Sequence, residues 1–323
     1  TRLPYGPEHV GAVGYLTDMM QDAGLEVSLD AAATLVGRAE GAGADGGKTF
    51  YMGSHQDSVP EGGAFDGIAG VVLPVMAMAL LREEGVELPF AVEVLAFADE
   101  EGVRFPTALV GSRAVAGTVD LAVLDMVDRD GVSLRAALEG FGCDPAAISE
   151  IARDRASALG YLEAHIEQGP VLEAEGEALG VVTGICGIER HEVVLTGETG
   201  HAGTVPMAQR KDALVGAAAA IEEVNRLARA TEGMRGTVGA IDVRPGAVNA
   251  VPGEVRLTVE LRSEDDAARE AAGEAIQAFI RRGADEHGLK AEVRRTYAQP
   301  AAPCDAGLRA LLVQAVQEGG GKG

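Results

Sequence analysis

Apolar residues in the first half of the chain gather in runs that stop abruptly at glycine, imidazole and carboxylate. Helical spacing from His9 to Ala23 ends at Gly24, and Leu25 to Leu29 alternates as a strand does. Thr49 to Met52 predicts a second strand that runs straight into Gly53, Ser54 and His55. From Ile68 to Arg82 the pattern is a helix, uncharged until its end and expected to lie behind a site. Phe90 to Ala98 is almost unbroken in its apolarity, as in a strand buried on both faces, and it stops at Asp99, Glu100 and Glu101. Gly160 to Ala164 leads in the same way into His165. Strands alternating with helices predict an α/β domain whose mixed, mostly parallel sheet is flanked by helices.

Beyond Gly184 the rhythm changes. Strands are expected over Glu189–Glu198, Arg235–Val243, Gly253–Leu261 and Leu289–Tyr297, with helices over Arg210–Ala230 and Asp265–Arg282. That β-α-β-β-α-β order is the split βαβ arrangement of ferredoxin-like domains. The expected organisation is a first domain of residues 1–183 and an inserted α+β domain of residues 184–298. Residues 299–323 return to the first domain with a helix from Cys304 to Gln317.

The polar islands of the first domain read Gly53-Ser-His-Gln-Asp-Ser58, Gly62-Gly-Ala-Phe-Asp-Gly67, Asp99-Glu-Glu-Gly102 and Ala164-His-Ile-Glu-Gln-Gly169. They carry His55, Asp57, Asp66, Glu100, Glu101, His165 and Glu167. Imidazole grouped with carboxylate is the ligand chemistry of zinc, manganese or cobalt. His55 and Asp57 stand two apart in an extended segment, so the aspartate can accept the ring N–H and set its tautomer. Asp66 has two oxygens able to bridge a pair of ions, and it equally suits the N-cap of the following helix. Glu100 and Glu101 diverge at a strand end, which lets one ligate while the other takes a proton from water. These residues predict a metal-dependent hydrolase.

Composition narrows the partners. The chain has 27 Lys and Arg against 50 Asp and Glu, a formal charge of -23 that repels phosphate backbones and anionic membrane surfaces. Aromatic residues make up 4% and tryptophan is absent, so there is little to stack on nucleobases. The longest apolar stretch, Ile68 to Leu81, is too short to span a bilayer. Cys143, Cys186 and Cys304 form no CxxC pair and suit isolated thiols in a reducing compartment. No signal peptide is expected from Thr1-Arg-Leu-Pro4, which lacks a basic segment followed by an apolar one. No nucleic acid, no membrane and a cytoplasmic location are the expectations.

Further motifs run in order along the chain: Phe97-Ala-Asp-Glu-Glu-Gly-Val-Arg-Phe105, His165-Ile-Glu-Gln-Gly-Pro-Val-Leu-Glu173, Gly200-His-Ala-Gly-Thr-Val-Pro-Met207, Arg210-Lys-Asp212, Pro245-Gly-Ala-Val-Asn249 and Leu261-Arg262. With the islands above, they make the sequence resemble the amidohydrolase branch of the M20 metallopeptidase family, which holds allantoate amidohydrolases and N-carbamoyl-L-amino acid hydrolases. The resemblance implies two divalent ions per subunit of the full-length protein. His55 and His165 would bind opposite ions, Asp66 would bridge them, Glu101 would complete one shell, and Glu100 would be the general base. Asp57 would support His55, and the Asp66–Gly67 peptide would be cis.

Gln168, Asn249 and Arg262 would bind a small carboxylate substrate, Arg262 as a planar bidentate donor. His201, on a lid and dimerisation domain, would reach the neighbouring subunit's site and stabilise the oxyanion, which implies a homodimer. The expected reaction cleaves a ureido C–N bond, first of allantoate, with N-carbamoyl-L-amino acids as the alternative substrate. The family pattern continues with a late histidine ligand, whereas the last histidine here is His287. A fragment lacking one ligand is therefore expected, and an inactive dimeric scaffold stays open as a reading of another class.

Overall fold

The computed structural model describes residues 1–43 and 47–322, which fall into two units, Thr1–Val171 and Leu172–Gly323. The first unit contains α1 (Pro7–Asp22), β1 (Glu26–Leu29), β2 (Leu35–Ala39), β3 (Thr49–His55), α2 (Ile68–Glu83), β4 (Ala91–Phe97), α3 (Val110–Val115), α4 (Leu134–Phe141) and β5 (Ala158–Leu162). Its sheet runs β1-β2-β4-β3-β5. All seven residues of β4 are buried, which is why that strand reads as an apolar run broken only at Glu93, whose carboxylate pairs with Arg38 and Arg153. Val92, Val94 and Ala96 pack with Leu16 and Met20 of α1 and Val71 and Val75 of α2, while Leu95 and Phe97 pack with Val36 and Tyr51.

The sheet is mixed rather than mostly parallel. β3 lies parallel to both β4 and β5, but β1 and β2 are antiparallel to each other, and β2 is antiparallel to β4. The turn between β1 and β2 is too short for a crossover, and Asp30 closes it by accepting the N–H groups of Ala32 and Thr34 at 2.9 and 2.8 Å. β2, α3 and α4 have no counterpart in the sequence pattern. Each is short, and Leu35-Val-Gly-Arg-Ala39 lacks the alternation that marks a strand.

Helix α5 (Val171–Glu175) leads into the second unit, which adds β6 (Gly184–Ile185), β7 (Gly187–Thr196), β8 (Gly200–His201), α6 (Ala213–Ala230), β9 (Arg235–Arg244), β10 (Ala250–Val251), β11 (Glu254–Ser263), α7 (Asp266–Glu286), β12 (Lys290–Gln299), β13 (Ala302–Pro303) and α8 (Ala306–Glu318). A four-stranded antiparallel sheet, β12-β7-β11-β9, carries α6 and α7. Its core joins Val193, Leu195, Val255, Leu257 and Val259 to Ala217, Val224, Ile276 and Ile280 of the two helices.

Residues 172–183 and 299–322 lie in this second unit as well. There β13 pairs with β6, and Lys322 forms an ion pair with Glu177. Gly323 falls outside the described residues. The Asp66–Gly67 peptide is not cis; the cis bond among the described residues is Arg244–Pro245, where proline lowers the cost. No helix among them is long and apolar enough to cross a membrane.

Candidate metal centre

The parallel register of β3 and β4 sets His55 beside Phe97, so the polar residues that end the two strands emerge side by side. Ligand sites gather at such C-terminal strand ends. β3 supplies His55 and the segment just beyond it Asp57, the turn after β4 supplies Asp99, Glu100 and Glu101, and the extension of β5 supplies His165. Asp66 arrives from the loop before α2. That helix is capped by Gly67 with no side-chain bond, so the N-cap role is not taken up and the Asp66 carboxylate stays available.

Donor atoms of His55, Asp66 and His165 lie within 4.8 Å of one another, and so do those of His55, Glu100 and Glu101. Asp66 Oδ1 stands 3.2 Å from His165 Nε2 and 3.9 Å from His55 Nε2. The two imidazoles stack with centroids 5.8 Å apart. Glu100 Oε2 is 4.0 Å from His55 Nε2.

Both ring tautomers follow from the hydrogen bonds. His55 Nδ1 lies 3.0 Å from the Asp57 carbonyl, and His165 Nδ1 lies 2.9 Å from the Ile166 carbonyl. A carbonyl can only accept, so each Nδ1 carries a proton, and it is Nε2 of each ring that faces the carboxylate oxygens. Nε2 donors and carboxylate oxygens converging at this range suit a cation held between them.

Charge in the site points the same way. Burial is the largest cause holding the Glu100 carboxyl above its usual range; Glu101, Asp57 and Glu163 add to it and His55 opposes it. Glu101 is raised too, again mainly by burial. Asp99, fully buried, is pushed up to about 8 by burial and by Asp57, so it is the neutral acid at neutral pH. Two imidazoles and three carboxylates, short of positive charge, are a donor set that fits a divalent ion such as zinc, manganese or cobalt.

The Asp57 carboxylate lies 3.8 Å from the His55 ring, farther than that residue's own carbonyl. Its oxygens instead accept the N–H groups of Glu100 and Glu101, each at 3.1 Å, and so hold the turn that carries both glutamates. Gln168 Nε2 donates to both oxygens of Asp66 at 3.0 Å.

Glycine permits two close approaches. Gly67 has φ +65°, and a Cβ there would stand 2.4 Å from the His55 ring. On α2, a Cβ at Gly70 would stand 2.1 Å from the Ala164 carbonyl oxygen, beside His165. Ser54, Tyr161 and Glu163, which the sequence pattern did not single out, also border the site. Their signal was their place next to His55 and His165.

The remaining expected site residues belong to the second unit. His201 on β8 pairs with Ala250 on β10, and Ala202 donates to the Asn249 carbonyl at 2.9 Å, which brings His201 and Asn249 together. His201 Nδ1 accepts the Gly203 N–H at 3.1 Å. Arg262 on β11 donates to Glu260 at 2.7 Å.

The model of peptidase family M20/M25/M40 matches residues 51–322. An N-carbamoyl-L-amino-acid amidohydrolase of Paenarthrobacter aurescens is 42% identical over 295 residues, covering 91% of this chain and 71% of that protein. An allantoate deiminase of Arabidopsis thaliana is 35% identical over 334 residues, covering 96% of this chain and 63% of that protein. Among solved structures, an amidase of the hydantoinase/carbamoylase family from Burkholderia multivorans superposes with a TM-score of 0.93 at 32% identity, over 99% of this chain and 77% of its own. With its donor set, its fold and these relatives in agreement, the chain belongs to peptidase family M20/M25/M40, in the amidohydrolase/carbamoylase branch.

Proposed function

We propose that the protein hydrolyses the ureido C–N bond of N-carbamoyl-L-amino acids, releasing the amino acid and a carbamate that decays to carbon dioxide and ammonia. The observation that carries the hydrolytic reading is the convergence of both imidazole Nε2 atoms on carboxylate oxygens, with each Nδ1 bonded to a carbonyl, a donor geometry that suits a cation. The relative at 42% identity carries the choice of substrate. Allantoate, the first expectation from the sequence, becomes the second reading, supported by the relative at 35% identity.

His55, Asp66, Glu101 and His165 would hold two divalent ions, with zinc, manganese and cobalt all suited to the donors. Such ions supply a polarised substrate carbonyl and a water of lowered pKa. Glu100 takes the proton of the attacking water and passes it to the leaving nitrogen. Its position at the turn held by Asp57 keeps it beside His55. Gln168 holds Asp66 in place, while Arg262 and Asn249 bind the substrate carboxylate. His201 of a second subunit donates to the developing oxyanion. On this reading the second unit is a ferredoxin-like lid, and the protein is a cytoplasmic homodimer.

Ammonia release separates the readings. Protein incubated with manganese, cobalt or zinc is assayed on N-carbamoyl-L-amino acids, allantoate and dipeptides. Faster release from the carbamoyl amino acids is expected; faster release from allantoate exchanges the two substrates. No turnover together with no bound ion returns the protein to the scaffold reading.

A further inference from the structure

The ladder between β3 and β5 runs from Thr49 opposite Ala158 to Met52 opposite Leu162, and it stops there. Both histidines lie beyond its end. His55 is still held on its other side, because the β3–β4 ladder continues to His55 opposite Phe97. His165 has no such strand partner among the described residues.

Past the end of the ladder, side chains take over the connection. Ser54 Oγ, fully buried, donates to Glu163 Oε1 at 2.5 Å. Tyr161 Oη lies 2.9 Å from the Gly53 carbonyl and 2.7 Å from Glu163 Oε2. The three side chains therefore link the residues just before His55 to the residues just before His165. On the α2 side, Gly70 backs the same junction, with both the Ala164 carbonyl and the Ser54 Cβ pressed against it.

We infer that Glu163 is a positioning residue: by bridging Ser54 and Tyr161 it extends the β3–β5 register past the last strand pair and holds the His165 ring opposite His55. This rests on the metal-centre reading above. Glu163 belongs to neither group of converging donors and bonds to Ser54 and Tyr161 instead, so it acts on the spacing of the two imidazoles, and through it on ion affinity.

Hydrogen-bond accounting supplies the test. Tyr161 has one hydroxyl proton for two acceptors, Gly53 O and Glu163 Oε2. A glutamine at position 163 satisfies every group: its oxygen accepts from Ser54, its amide donates to Tyr161 Oη, and the tyrosine proton goes to Gly53. An alanine removes the bridge: Ser54 loses its acceptor, and Tyr161 keeps only its bond to Gly53. Binding of zinc alone, without substrate, is measured by competition with a chromogenic chelator for the parent, E163A, E163Q and Y161F. Thermal unfolding of the ion-free proteins serves as the folding control.

E163A is expected to bind zinc about 10- to 100-fold more weakly, the usual loss when a residue supporting a metal ligand is removed. E163Q should stay within a few-fold of the parent, because the bridge and not the charge is what matters. Y161F, which removes one hydroxyl from a ring that stays packed, should weaken binding in the same direction and covers the case in which E163A fails to fold. Parent-like affinity in E163A, or in Y161F if E163A is unfolded, overturns the inference alone, as does an E163Q loss equal to that of E163A. A parent protein that takes up no zinc overturns the metal-centre reading and this inference with it.

Discussion

His9 shows what burial does to a single residue. It is fully buried on α1, stacked 4.6 Å from Phe141, and its Nδ1 accepts the Tyr5 N–H at 2.9 Å. Desolvation lowers its pKa from 6.5 to about 4. The folded value is depressed, so between those limits the unfolded chain binds more protons and acid favours unfolding. The contribution is fully present above pH 6.5 and fades as pH falls toward 4, amounting to about 3 kcal/mol. Asp30, raised from 3.8 to about 6 by burial, works with the opposite sign below pH 6. The effect of His9 is therefore the difference between the parent and His9→Gln, which keeps an acceptor but does not titrate. Urea unfolding at several pH values should show the variant losing less stability on acidification, and parallel losses would refute the assignment. The sequence placed His9 at the start of a helix but could not reveal this environment, because Tyr5, Phe141 and Gln56 reach it from other segments.

At the scale of elements, β7 and α7 face each other across a buried charge cluster. Glu189 and His191 point inward from β7, with His191 Nε2 2.8 Å from Glu189 Oε1. Arg269 on α7 lies 3.7 Å from Glu189 and also pairs with Asp266. Glu189, His191 and Arg269 are each only 2% exposed. Gly273, one turn further along α7, makes room for the cluster: a Cβ there would stand 2.5 Å from Glu189 Oε1. Removing one partner of a buried pair strands the other charge, so Arg269→Met should destabilise the second unit by about 3–5 kcal/mol. Adding Glu189→Gln should recover part of that loss in chemical unfolding, and a single variant as stable as the parent would contradict the pairing. The strand and the helix were each legible from periodicity. Their polar inward positions made sense only once both were folded against one another.

For the whole molecule, the two units have separate cores, and the candidate metal centre lies entirely in the first. An ion that binds only the folded state stabilises it by about 2.7 kcal/mol at a hundredfold excess over its dissociation constant. Calorimetry is therefore expected to resolve two transitions. Chelator should lower only the one belonging to the first unit, and manganese, cobalt or zinc should restore it. Two transitions that ignore both treatments would argue against an ion at this site. The acidic balance of the chain, -23 overall, makes an electrostatic welcome for a cation unremarkable, so the response must be confined to one transition to count.

Local pattern was enough to place the long elements and to show that His55, Glu100, Glu101 and His165 stand where apolar strands end. This works because burial imposes a period on every segment, and a polar residue at the close of an apolar run has few places to be. Periodicity carries no record of partners in space, however. Only the folded chain decided that the first sheet is mixed, that the Asp57 carboxylate holds the Glu100–Glu101 turn, and that Ser54, Tyr161 and Glu163 continue a ladder whose backbone pairing has ended. Hydrogen bonds between residues far apart in the chain depend on register and close approach, and those are set by the packing of all the elements together.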